Sequence, residues 1–140
     1  MIDLEIYDKI YNVLKSFLTE NSQYQPIVTK EEHRQWDKFP LVVITEENNA
    51  YNLATTRFEE TRSRANYEVN IFTTDIVKNN VKISKHEIAK ELKYLVENVM
   101  GYNLRMKRTS CRPTPNMDDN ILRVTMRYSA KINDNTGKLY

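Results

Sequence analysis

From Leu122 to Ile132 the chain alternates without a break. Leu122, Val124, Met126, Tyr128, Ala130 and Ile132 are apolar or aromatic, and Arg123, Thr125, Arg127, Ser129 and Lys131 stand between them. A period of two sends successive side chains to opposite faces of an extended strand, so this stretch predicts a half-buried antiparallel strand with one wet face. Such a strand needs partners in a sheet and a layer to cover its apolar side. The rest of the chain has to supply both.

Two helices are predicted as that layer. Ile6, Ile10, Val13, Leu14, Phe17 and Leu18 recur at three- and four-residue spacing, with Tyr7 and Tyr11 beside them, over residues 2–19. Asp3, Glu5 and Asp8 lie near the start, where the helix dipole favours negative charge. The second helix is announced by Ser84 and Glu87 at capping-box spacing. Ile88, Leu92, Leu95, Val96 and Val99 form its apolar stripe, and Gly101 stands where a left-handed C-terminal cap would fall.

Further strands are expected at "YQPIVTK", a short edge strand because Pro26 cannot donate to a ladder, and at "KFPLVVITEEN", whose centre is apolar on both faces. "NYEVNIFTT" places Tyr67, Val69 and Ile71 on one face and Glu68 and Asn70 on the other. "LRMKRTSCR" precedes the closing strand, joined to it by the turn "PTPNMDDN". The expected fold is α+β: a mainly antiparallel sheet of four to five strands with two helices packed on one face. One domain is expected over residues 1–140, with a protruding polar arm at about 50–65 and a flexible tail at about 134–140.

At 140 residues the chain can bury roughly 68% of its unfolded surface, so a core can form without staples. The longest aliphatic run, Leu41-Val42-Val43-Ile44, is far shorter than the ~20 residues of a membrane span. The start is acidic where a signal peptide would be positive, and Cys111 is the sole cysteine, so a reducing cytoplasmic setting is the expectation. Residues 1–100 hold 13 Lys/Arg against 16 Asp/Glu, a net −3, and residues 101–140 hold 8 against 3, a net +5. That polarity suits a polyanion or an acidic neighbouring subunit.

Catalytic chemistry finds little support. Cys111 with His33 or His86 is the one conceivable thiol arrangement, and no signature surrounds it. Glu46-Glu47, Glu59-Glu60 and Asp118-Asp119 could hold a cation for phosphodiester cleavage, but "YEVNIF" has Asn70 where a restriction-type nuclease would carry lysine. No catalytic, metal-binding or cofactor-binding residue is therefore assigned, and no enzyme activity is expected. Arg123, Arg127 and Lys131, with Arg105 and Lys107 on the neighbouring strand, would make a basic sheet face able to bind phosphates without sequence preference. Stacking aromatics do not interleave there, which weakens a single-strand-binding reading.

In "RFEETRSRA", Arg57, Glu59, Glu60, Arg62 and Arg64 nearly alternate in sign, which suits an arm touching a neighbour as well as it suits a plain surface hairpin. The N-terminal helix, "FPLVVITEENN", the polar arm, "YEVNIFT", the helix ending at Gly101 and the closing "RTSCRPTPNMDDNILRVTMRYSA" together resemble the tail terminator (tail completion, or minor capsid) proteins of long-tailed bacteriophages and phage-derived tail-like particles. The likeness covers about residues 2–133 and is most specific at Arg108, Ser110, Pro113, Pro115, Asn116, Asp118, Ile121, Arg123, Arg127 and Tyr128. The arm departs from it in lacking glycines at its tip.

The resemblance implies a non-enzymatic structural protein that forms a homo-oligomeric ring, a hexamer, on the head-proximal end of a tail tube. Its partners would be the tail tube protein and a head connector or adaptor protein, with passive contact to DNA in the lumen and none to membrane. It would be found in the virion tail or a phage-derived particle, assembled in the bacterial host cytoplasm. Under that reading Arg57, Glu59, Glu60, Arg62, Arg64, Pro113, Asn116, Asp118, Arg123 and Arg127 are the candidate interface residues. A head-closure or head–tail adaptor of the same particle, or a non-specific nucleic-acid-binding domain, are the alternatives.

Overall fold

The computed structural model describes residues 2–30, 39–46, 62–114, 120–133 and 138–139. It begins with α1 (Ile2–Asn21), followed by β1 (Ile27–Thr29), β2 (Leu41–Glu46), β3 (Arg62–Thr73), β4 (Ile76–Lys78) and β5 (Val81–Ile83). α2 (Lys85–Glu97) runs into a π-helical segment, Asn98–Asn103. β6 (Lys107–Thr114), β7 (Leu122–Asn133) and β8 (Lys138–Leu139) close the chain.

The main sheet has the order β1-β2-β3-β7-β6, with β8 added to β7, and only the β1–β2 pairing is parallel. The fold is α+β, as the alternation and the two amphipathic stretches require. Central to the sheet is an unbroken twelve-pair ladder between β3 and β7, from Arg62 opposite Asn133 to Thr73 opposite Leu122. At ~3.4 Å per residue it runs roughly 40 Å.

This ladder alters two expectations. Arg62 to Ala65, counted in the polar arm from sequence, are strand residues paired with β7. Lys138 and Leu139, counted in a flexible tail, pair with Asn133 and Ile132. Residues 47–61, the remainder of the expected arm, lie outside the described residues.

Both helices cover one face of the sheet. Ile10, Leu14 and Leu18 of α1 and Ile88, Leu92 and Val96 of α2 meet Val42, Ile44, Tyr67, Val69, Ile71, Val124, Met126 and Tyr128 in one core. Burying each such side chain contributes about 1.5–3 kcal/mol. α1 is also pinned by polar contacts: Tyr7 Oη donates to Ile44 O (2.7 Å) and Tyr11 Oη to Val28 O (3.2 Å). Lys30 lies over both rings, 5.2 and 5.1 Å from their centroids, and pairs with Asp8. At the other end of α1, Ser22 Oγ donates to Glu91 Oε1 of α2 (2.7 Å), tying the helices together.

β2 is apolar on both faces for a reason. Val42 and Ile44 enter the main core, whereas Leu41 and Val43 join Phe72, Phe39 and Ile121 in a second cluster on the opposite side.

Two features of the second helix differ from the sequence reading. Ser84 caps it, but its hydroxyl accepts from His86 N (3.1 Å), and Glu87 is joined to Ser84 only through its backbone N–H (3.1 Å). Gly101 is not a left-handed cap, because the helix widens into π geometry and Gly101 sits inside that segment. The helix ends when Leu104 N donates to Val99 O (2.9 Å) and Arg105 takes the left-handed conformation, φ 55°. β6 consequently starts at Lys107, and Arg105 precedes the strand instead of lining it.

The β4–β5 hairpin has no counterpart among the expected strands. Asn79 and Asn80 turn it at φ 53° and 63°, the left-handed pair that a two-residue hairpin loop needs and that asparagine tolerates.

Leu92 is fully buried between α1, α2 and the sheet, so Leu92→Ala is expected to destabilise the fold by about 2–5 kcal/mol. The shift should appear in the denaturant midpoint at an unchanged m-value.

Candidate functional site

The polar face of the sheet follows from the β3–β7 register. Glu68 stands opposite Arg127, Asn70 opposite Thr125 and Phe72 opposite Arg123. All six point away from the helices, since their neighbours Val69, Ile71, Val124 and Met126 fill the main core. Cross-strand neighbours at this spacing interact directly.

Asn70 is the hub. Its Oδ1 accepts from Thr125 Oγ1 (2.7 Å) and from Arg123 Nε (3.0 Å), and its Nδ2 donates to Glu68 Oε1 (2.7 Å). Glu68 then pairs with Arg127 Nε at 3.2 Å and lies 3.9 Å from Arg123 Nη2. Thr114 on β6 extends the row through a 2.5 Å contact with Thr125. The Arg123 guanidinium also packs over the Phe72 ring, 5.5 Å from its centroid.

The arrangement changes what this face can do. Arg123 and Arg127 were expected as open basic groups, but one carboxylate is set between them and the amide of Asn70 holds the more buried arginine. The middle of the face is a cross-linked wall of mixed charge. Among the described residues, positive charge outside any ion pair lies instead along the sheet edge, where Lys107 and Arg112 of β6 are exposed.

A second cluster forms where α2 widens. Tyr128 is buried, and its hydroxyl donates to Glu97 Oε2 at 2.6 Å. Arg108 Nη1 lies 3.6 Å from the same oxygen. Burial pushes the Tyr128 phenol up from its usual range, and the bond to Glu97 and its negative charge push the same way. Gly101 makes room for the carboxylate, because a Cβ there would stand 2.5 Å from Glu97 Oε1. The glycine serves close approach, not backbone handedness.

Of the ten candidate interface residues, the structure brings Arg123 and Arg127 together around Glu68. Pro113 lies on β6, opposite Val124. Arg62 and Arg64 occupy β3 opposite Asn133 and Lys131. Arg57, Glu59, Glu60, Asn116 and Asp118 lie outside the described residues. Cys111 faces the core from β6, opposite Met126, and His86 stands on a different element at the start of α2. Asn70, at the lysine position of the nuclease pattern, is committed to Thr125, Arg123 and Glu68. Sequence reasoning placed Glu68 and Asn70 on the polar face but missed their partners, because those depend on register across strands.

Among the described residues no three His, Cys, Asp or Glu side chains converge as a metal site would require, and no helix is long and apolar enough to cross a membrane. The chain matches no family model and no curated protein.

Asn70→Ala strips a buried hydroxyl and a half-buried guanidinium of their shared acceptor and should cost about 2–3 kcal/mol. Arg127→Ala, at an exposed pair, should cost under about 1 kcal/mol. Chemical denaturation of the two variants checks the ranking.

For Tyr128, the unfolded phenol releases its proton near pH 10 while the folded one retains it, so the folded state binds more protons above that pH. The contribution is complete below about pH 10 and is lost as pH rises beyond it. Tyr128→Phe should therefore flatten the alkaline loss of stability relative to the parent. Gly101→Ala gains about 0.5–1 kcal/mol of helix propensity but displaces the Glu97 carboxylate from Tyr128, so its net cost should stay under about 1 kcal/mol in the parent and turn to a gain in the Tyr128→Phe background, where that bond is already absent.

Proposed function

We propose that this chain is a structural assembly protein that caps the head-proximal end of a phage-type tail tube as a ring. It ends tube growth and offers the surface to which a head connector joins, with no chemical step of its own. It would do so in a virion tail or a phage-derived particle put together in the bacterial cytoplasm.

The observation that carries this reading is the charge polarity of the chain taken up into the fold. The basic closing segment becomes the β6 edge, with Lys107, Arg108 and Arg112 exposed, while most of the acidic side chains belong to the part before it. A cyclic assembly needs a heterologous contact, one patch against a different patch of the next copy, and opposite charge on different parts of one chain is suited to it. The order of elements shared with tail terminators supports the same reading. A polyanion-binding groove is less favoured, because Glu68 already occupies the space between Arg123 and Arg127.

Electron microscopy of particles from a producing strain tests the proposal. With the gene deleted, tails should become overlong and unjoined, and antibody label on parental particles should sit at the head-proximal tail end. Tails of normal length with label at the portal would replace this reading with the adaptor one. Normal, joined particles without label would remove both.

A further inference from the structure

Large apolar side chains that remain exposed are few among the described residues: Ile27, Val77, Val81, Tyr94 and Tyr102. Tyr102 is the most open of them, at 74%. It also opens a stretch of one sign of charge. From Asn98 to Thr114 the chain carries Arg105, Lys107, Arg108 and Arg112 and no acid.

The fold brings the ring and these cations onto one surface. Leu104 N closes the π segment on Val99 O (2.9 Å), and Arg105 turns the chain at φ 55°. Met106 N then donates to Met100 O (2.9 Å), which lays the lead-in to β6 back beside the segment that carries Tyr102. Arg108 reaches Glu97, the carboxylate packed over Gly101, the residue next to Tyr102. Met106 is buried by this turn, while Tyr102, Asn103, Arg105, Lys107 and Arg108 stay exposed.

The acids close to the strip are already engaged. Glu97 is held by Tyr128 and Arg108, and Glu68 lies between Arg123 and Arg127. Arg105, Lys107 and Arg112 enter no ion pair among the described residues. From Lys107 to Arg112 the strand spans roughly 17 Å at ~3.4 Å per residue. A row of that length is longer than one phosphate needs and suits a run of them.

The polar face of the sheet lacks an aromatic on which an unpaired base could stack, and the π segment supplies one from outside the sheet. Base stacking of this kind is indifferent to sequence, because every base has a π-face. We infer that the strip from Tyr102 to Arg112 binds single-stranded nucleic acid without sequence preference. Phosphates lie along Arg105, Lys107 and Arg112, and one base stacks on Tyr102. This goes beyond the ring reading and does not depend on it. The ring reading offers β6 to an acidic neighbour, for which charge alone suffices. The open ring is what separates the two occupants, since neither an acidic protein surface nor a duplex with its bases stacked inside needs it.

Fluorescence anisotropy of the full chain with a labelled oligothymidylate tests the inference. Log affinity should fall against log salt with a slope of about −2, from three phosphates at ~0.7 each. Tyr102→Ala should weaken binding by about fivefold or more without changing that slope, and Tyr102→Phe should keep the parental affinity. The Lys107→Gln, Arg112→Gln double variant should flatten the slope to about −0.7. All three side chains are exposed, so melting curves should match the parent's.

No binding at low salt would overturn the inference. So would a duplex bound as tightly as the single strand with Tyr102→Ala without effect. Polyglutamate competing as well as the oligonucleotide would also overturn it and hand the strip to an acidic neighbour. None of these results alters the tail lengths of deletion particles, which test the ring reading separately.

Discussion

The register of β3 on β7 is the constraint on which the rest of this structure depends. With Val69 opposite Met126, every core-facing residue of both strands falls beneath the helices. Glu68, Asn70, Thr125, Arg123 and Arg127 then fall together on the other face. A slip of β7 by one residue would turn both of its sets over at once, burying Arg123 and Arg127 under α1 and α2 and exposing Met126 and Tyr128. The Asn70 hub adds specificity to that choice, because its amide meets Thr125 and Arg123 in one alignment only. Burial and polar satisfaction point to the same register, which is how a sequence avoids competing pairings.

The same ladder decides where charge is available. By placing one glutamate between two arginines it offsets half of their positive charge at the middle of the sheet, while Lys107 and Arg112 stay exposed along the β6 edge. The second helix has a comparable double role. Its inner face completes the core, and its widening to π geometry lets the Glu97 carboxylate lie over Gly101 and reach a buried tyrosine on β7. That bond joins the helix end to the central strand, beside the outer face that carries Tyr94 and Tyr102.

Much of the architecture was legible beforehand. The alternation of Leu122–Ile132, the spacing of Ile10, Leu14 and Leu18, and the run Leu41–Ile44 each report which side of an element is buried, and burial is what periodicity encodes. Local chemistry was less dependable. Ser84 and Glu87 had capping-box spacing, yet the serine hydroxyl turned to His86. Gly101 had the position of a left-handed cap, yet its role is to admit a carboxylate that is bonded by a tyrosine 27 residues further on. Asn79-Asn80, set between Val77-Lys78 and Val81-Lys82, is a local hairpin signal of the same kind.

By itself, the sequence determined the two helices, the long strands, their buried faces, the α+β class and the separation of acidic from basic parts, because hydrophobic spacing and charge order are local properties of the chain. Tertiary structure alone decided that β1 runs parallel to β2, that Arg62 belongs to the central ladder, and that Glu68 sits between Arg123 and Arg127. It also decided that the valines of β4–β5 stay in water. Each of these is a relation between residues far apart in the chain, set by register and by which surfaces the core had room to cover, and no short-range pattern carries that information.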